Sequence, residues 1–146
     1  MNILTAITLF LITLLSAPAL ATPRQDVIAG PLTARVLDVL DGDTVNVRIK
    51  VWMGQDIETS VRIAGMDAPE IHGKCTREQV MAKEAKDELA QLLAGGEIKI
   101  FDARLEKYAG RVVARAETVG GIKIREHMIE KGLARAYKGK KRAPWC

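Results

Sequence analysis

Cysteine is scarce in this chain. Cys75 and Cys146 are the two present in 146 residues, and neither belongs to a CxxC or stands with an HxxxH spacing, so a zinc site of the usual kind is excluded. No internal repeat, low-complexity tract or linker follows Thr33, which leaves no room for a second domain. The excess of one charge is also small: 22 Lys and Arg against 18 Asp and Glu give +4. That balance suits an anionic partner without establishing one. Its densest cluster, Lys138, Lys140, Lys141 and Arg142, reads equally as a solvated tail or as a nucleic-acid contact.

Charge is missing altogether before Ala21. Ile3 to Leu15 is apolar apart from threonines, and Ala19-Leu20-Ala21 places small residues where a signal peptidase reads them. Residues 1–21 are therefore expected to be a cleaved signal peptide, 22–31 a short extension and 32–146 one domain. The segment has no Lys or Arg at its start and approaches the ~20 residues that cross a bilayer, so a retained anchor stays open; Pro18 near its end favours cleavage. The expected location is the periplasm or the extracellular medium, with no stable membrane association after cleavage. In such an oxidising compartment Cys75 and Cys146 read as a disulfide. Closing a loop of about seventy residues would contribute roughly 4 kcal/mol by the chain-entropy model. Two independent thiols, or an intermolecular bond, remain the alternative.

Beyond the leader, apolar residues alternate with polar ones over Leu32 to Val39 and again over Thr44 to Val51, with the hairpin signal Asp41-Gly42 between them. Asp43 shares the parity of Val45, Val47 and Ile49, which aims it at the core side at the mouth of the sheet. A carboxylate there is costly unless paired or bound to a cation. A third strand is predicted over Thr59 to Met66, and continuing the parity of Val61 and Ile63 brings Asp67 to the same rim. Arg62 has the opposite parity, so it joins them only through a bulge or strong twist, for which Gly65 is the natural place. Thr76 and Gln79 form a capping-box pattern, followed by a helix on Val80, Met81, Ala85, Leu89, Leu92 and Leu93 that Gly95-Gly96 ends. Glu97 to Phe101 and Arg111 to Thr118 read as strands, and Ile122 to Lys131 as a short helix stopped by Gly132. Five short strands with a helix after the third predict an α+β, mainly β fold: an OB-type Greek-key barrel with two or three helices.

Two acidic segments lie at strand ends. Asp41-Gly42-Asp43-Thr44 and Val61-Arg62-Ile63-Ala64-Gly65-Met66-Asp67-Ala68-Pro69-Glu70 together supply carboxylates and a cation near one point, the inventory for metal-assisted attack on a phosphodiester. With KYAGR at 107–111 and IEKGLA at 129–134, these blocks resemble the staphylococcal nuclease family over about Leu32 to Tyr137. The resemblance implies a calcium ion held by Asp43, Asp67 and the main-chain carbonyl of Ala68, with Asp41 close behind. Alanine replaces the family's usual threonine at 68, which removes a hydroxyl but not the carbonyl. The resemblance also implies Glu70 as general base, Arg62 and Arg111 as the phosphate clamp, and Tyr108 and Tyr137 near the nucleotide. Ala109 is an extra residue relative to the family's KYGR. The implied activity is endonucleolytic hydrolysis of DNA and RNA by a monomer, leaving 3′-phosphate ends. His72, beside Glu70, reads as a solvated loop residue. A non-catalytic nucleic-acid-binding module and an envelope scaffold are the competing readings; the clustered carboxylates disfavour the first, since they repel phosphate unless a cation intervenes, and the second predicts no dependence on calcium or on Glu70.

Overall fold

The computed structural model describes residues 26–106 and 111–146. The expected leader, Tyr108 and Ala109 lie outside the described residues. Strands β1 (Leu32–Asp41) and β2 (Thr44–Trp52) form the expected hairpin, with Asp41 opposite Thr44 across the Gly42-Asp43 turn. Strand β3 departs from expectation at both ends, running Gln55–Ile63 rather than Thr59 to Met66. Its first four residues are exposed and carry no burial alternation; they are strand because they pair with β2, as Ile57 with Ile49 and Glu58 with Arg48. At the other end the chain reverses at Ala64-Gly65, where Gly65 takes a φ of 79° that a side chain would strain. Met66–Asp67 thereby become a separate strand, β4.

Helix α1 (Thr76–Leu92), strands β5 (Glu97–Leu105) and β6 (Val112–Thr118), helix α2 (Ile124–Glu130) and the two-residue β7 (Arg135–Ala136) follow. The sheet closes in the order β1-β2-β3-β6-β5, with β5 returning antiparallel to β1 and β3 parallel to β6. This is the mixed five-stranded barrel of the OB type, with two helices among the described residues, and closure leaves no open sheet edge to cap. Val45, Val47, Val61, Ile63, Ile98 and Ile100 fill it at zero exposure, and Leu89 of α1 with Ile124 and Met128 of α2 complete the core. Full burial of each side chain of this size contributes about 1.5–3 kcal/mol.

Helix α1 begins where expected but not by the expected cap. Cys75 is the N-cap residue and Thr76 already helical, so no side chain caps the first turn, and Gln79 Nε2 donates instead to the Gly73 carbonyl at 2.9 Å. The buried stripe is Glu78, Ala82, Ala85 and Leu89, while Val80 is exposed. Close approach selects that face. A Cβ on Gly42 would lie 2.6 Å from the Ala85 Cβ and 2.8 Å from that of Ala68, so the helix seats Ala85 directly on the β1–β2 turn. Cys75 and Cys146 are bonded, 71 residues apart in sequence with Cα atoms 6.0 Å apart.

Candidate active site

The turn at Gly65 brings β4 within reach of the Arg62 side chain. Pairing of β4 with β7 holds it there, Met66 against Ala136 and Asp67 against Arg135. Arg62, opposite in parity to Val61 and Ile63, is thus 5% exposed, although it faces away from the barrel core. Its Nη2 lies 3.0 Å from Asp43 Oδ2 and 3.9 Å from Asp67 Oδ1, and donates to the Met66 carbonyl at 3.3 Å. Asp43 and the Met66–Asp67 pair, from two separate segments, therefore converge on one guanidinium nitrogen.

Asp43 is held on every side. The Thr44 hydroxyl donates to its Oδ1 at 2.8 Å and the Ala68 N–H to its Oδ2 at 3.3 Å, which places the Ala68 peptide at the carboxylate pair. The Asp43 N–H in turn donates to Asp41 Oδ1 at 3.1 Å. Burial pushes the Asp43 carboxyl up from 3.8 to about 6; the Arg62 cation opposes the shift and the Asp41 charge adds to it. Asp67 is 2% exposed. Its Oδ2 accepts from Arg135 Nη2 at 3.2 Å, whereas its Oδ1 is buried and accepts no hydrogen bond from the described residues. Arg142 Nε, 3.2 Å from that oxygen, supplies charge without an aligned N–H.

An orphaned buried carboxylate oxygen costs about 1–3 kcal/mol or more. Beside a second carboxylate under pressure to protonate, it is the mark of a site that gains from a cation. The donors are all oxygen, two carboxylates and the Ala68 peptide, and such a set suits a hard divalent ion such as calcium rather than zinc. The residues present fit a metal.

Glu70 stands at the lip, with a side chain 48% exposed and paired to Arg142. The segment that carries it is tied to α1 by Glu78, which the sequence reading passed over. Buried in the first helical turn, Glu78 accepts the Lys74 N–H at 3.0 Å and the Glu70 N–H at 3.4 Å, and a Cβ on Gly73 would collide with it. Its signal was the acidic residue at the third helical position, which usually caps its own helix; here it reaches back further. Glu78→Ala is expected to lower stability by about 1–3 kcal/mol, the penalty for stranding buried donors. A urea midpoint equal to that of the wild type would show that the 70–74 segment holds itself.

The remaining expected residues divide. Arg111 is half-buried and pairs with Glu106 across the β5–β6 connection at 3.0 Å, not with the carboxylates. Tyr137 lies over Arg62, ring centroid to guanidinium carbon 5.9 Å, and its hydroxyl donates to the Lys140 carbonyl, so it packs the site from behind. His72 is exposed, as expected. Two arginines that the sequence reading left out reach the carboxylates from the carboxyl end. Arg135 bridges Asp67 to the carbonyls of Ala143 and Pro144, and Arg142 spans Asp67 and Glu70. Only the basic run at 138–142 hinted at the second.

Residues 60–144 match the family described as staphylococcal nuclease homologue. An uncharacterized endonuclease of Escherichia coli is 26% identical over 111 residues, which is 76% of this chain and 65% of that protein. A protein of the same name from Escherichia coli O157:H7 aligns to the same extent. A probable endonuclease LCL3 of Leptosphaeria maculans is 34% identical over 97 residues, 61% of this chain and 30% of that protein. The chain thus spans less than two thirds of each of these relatives.

Proposed function

Since the chain belongs to the staphylococcal nuclease homologue family, we propose that it is an exported, calcium-dependent endonuclease that hydrolyses the phosphodiesters of DNA and RNA. The observation that carries this reading is the buried Asp43–Arg62–Asp67 cluster, with Asp67 Oδ1 unbonded and Glu70 exposed at its edge. A module that only bound nucleic acid would gain nothing from three carboxylates at the point of contact.

Asp43, Asp67 and the Ala68 carbonyl are assigned to the ion. When bound, calcium would neutralise phosphate charge and lower the pKa of water beside it. Glu70 takes the proton of the attacking water as the new P–O bond forms. The 5′-oxygen departs and is protonated from solvent, leaving a 3′-phosphate. Arg62, already fixed by Asp43 and Met66, faces the negative charge that grows on the five-coordinate phosphorus. Arg111 is its partner in the clamp and must leave Glu106 to serve. Export is supported by the apolar, uncharged residues 1–21 and by the Cys75–Cys146 bond, which persists in an oxidising compartment.

The purified protein is expected to release acid-soluble nucleotide from denatured DNA with calcium and not with a calcium chelator. Calcium-independent release would remove the metal assignment. No release by folded, calcium-supplied protein would leave a binding module.

A further inference from the structure

The nuclease reading uses Arg62 and Arg111, yet neither is the cation that touches Glu70. That contact belongs to Arg142, whose Nη1 pairs with Glu70 Oε1 and whose Nε lies 3.2 Å from Asp67 Oδ1. Its side chain is 38% exposed, against 6% for Arg62. It also borders a groove of about 560 Å³ between the Glu70–Lys74 segment and the last six residues, where Lys74 and Lys141 add positive charge. The groove is open, its cations Lys74, Lys141 and Arg142 face the carboxylates of Asp67, Glu70 and Glu78, and it meets the carboxylate cluster at Arg142.

Residues 138–146 form neither helix nor strand, so nothing in their own backbone pairing places this arginine. External ties do. Upstream, the Tyr137 hydroxyl binds the Lys140 carbonyl. Downstream, Arg135 donates to the carbonyls of Ala143 and Pro144 and lies 3.8 Å from the centroid of the Trp145 ring, and Cys146 is bonded to Cys75 at the start of α1. A segment without helix or strand would otherwise sample many conformations, and the bond at Cys146 removes most of them.

We infer that Arg142 is a third phosphate-binding arginine, contacting the scissile phosphodiester, and that the Cys75–Cys146 disulfide is the positioning element that delivers it. This rests on the nuclease reading. The same N–H groups that Glu70 accepts match phosphate oxygens, and a guanidinium fork binds either anion. A phosphate entering the groove therefore competes with Glu70 for Arg142. The exchange releases the carboxylate to take up the proton of the attacking water. In that way the arginine couples substrate arrival to activation of the base.

The test compares Arg142→Ala, Arg142→Lys, the double variant Cys75→Ser/Cys146→Ser and the triple variant combining the serines with Arg142→Ala, all well below their unfolding temperatures. Arg142→Ala is expected to reduce kcat/KM for single-stranded DNA by about 100-fold, as for loss of one donor to a developing oxyanion. Lysine should restore roughly a tenth to a half of the rate, since it returns the charge without the fork. The serine pair should lose a similar factor, and the triple variant no more than either alone. If the two losses instead multiply, the disulfide acts through stability and not through Arg142. Wild-type rates in Arg142→Ala, with the wild type active, would overturn the inference while leaving the nuclease reading in place. Should the wild type not cleave at all, that reading fails first. Fluorescence anisotropy of a labelled oligonucleotide in chelator then still decides the contact: several-fold weaker binding by Arg142→Ala supports it, and equal binding rejects it.

Discussion

Glu70→Gln is expected to reduce calcium-dependent cleavage of denatured DNA by about a thousand-fold, within the 10²–10⁴ range that a positioned general base contributes. The loss should fall on kcat, because the amide keeps the shape of the side chain and removes only its capacity to take a proton. Stability should hardly change. Glu70 is about half exposed and its pairing with Arg142 is solvent-screened, the kind of ion pair worth at most about 1 kcal/mol. Its backbone is held independently by Glu78. Steady-state rates and a thermal melt of the same sample check both halves. A variant within a few-fold of wild-type kcat would remove Glu70 from the chemistry and return attention to the groove as a binding surface.

Arg62→Ala is expected to have the largest effect on the fold itself. Asp43 and Asp67 are both nearly inaccessible, and Arg62 is the cation 3.0 Å from the first and 3.9 Å from the second. Removing one partner of a buried pair leaves the other charge uncompensated, at a cost of about 3–5 kcal/mol. Burial already drives the Asp43 carboxyl up to about 6 with the arginine present, so its loss pushes further in the same direction. The urea midpoint in chelator should drop accordingly. Calcium should recover part of the loss, because an ion bound only by the folded protein stabilises it by linkage. Cleavage should remain depressed even where calcium restores the fold, since the ion does not replace a guanidinium facing the phosphate. A midpoint in chelator equal to that of the wild type would mean that buried Asp43 does not need Arg62, Asp67 being held by Arg135 and Arg142, and the site would need another account.

Much of this protein is legible before it folds. Alternation along β1 and β2 marks the two strands, and the Asp41-Gly42 pair marks the turn between them, because strand geometry repeats every second residue and is written locally. The helix after the third strand and the two strands that follow it are legible for the same reason, and their order points to the closed barrel. Asp67, Ala68 and Glu70 sit in one short block, so their proximity to each other is also local.

What the residues in order could not convey is which face a pairing turns inward and which distant side chain arrives there. Strand β3 starts at Gln55 because β2 is beside it, not because its residues alternate. Val80 faces solvent because the small side chain of Ala85 allows close contact with the Gly42 turn. Arg62 is enclosed by Asp43, the Met66–Asp67 strand and the Tyr137 ring, contacts that its own alternation does not show. Arg135 and Arg142 enter the site through contacts between distant parts of the chain, 68 residues apart for Arg135 and Asp67 and 72 for Arg142 and Glu70. Composition and local periodicity determined the barrel and its carboxylates, since those depend on neighbours along the chain. The tertiary structure decided which cations meet them, since a pairing across seventy residues leaves no trace in either segment alone.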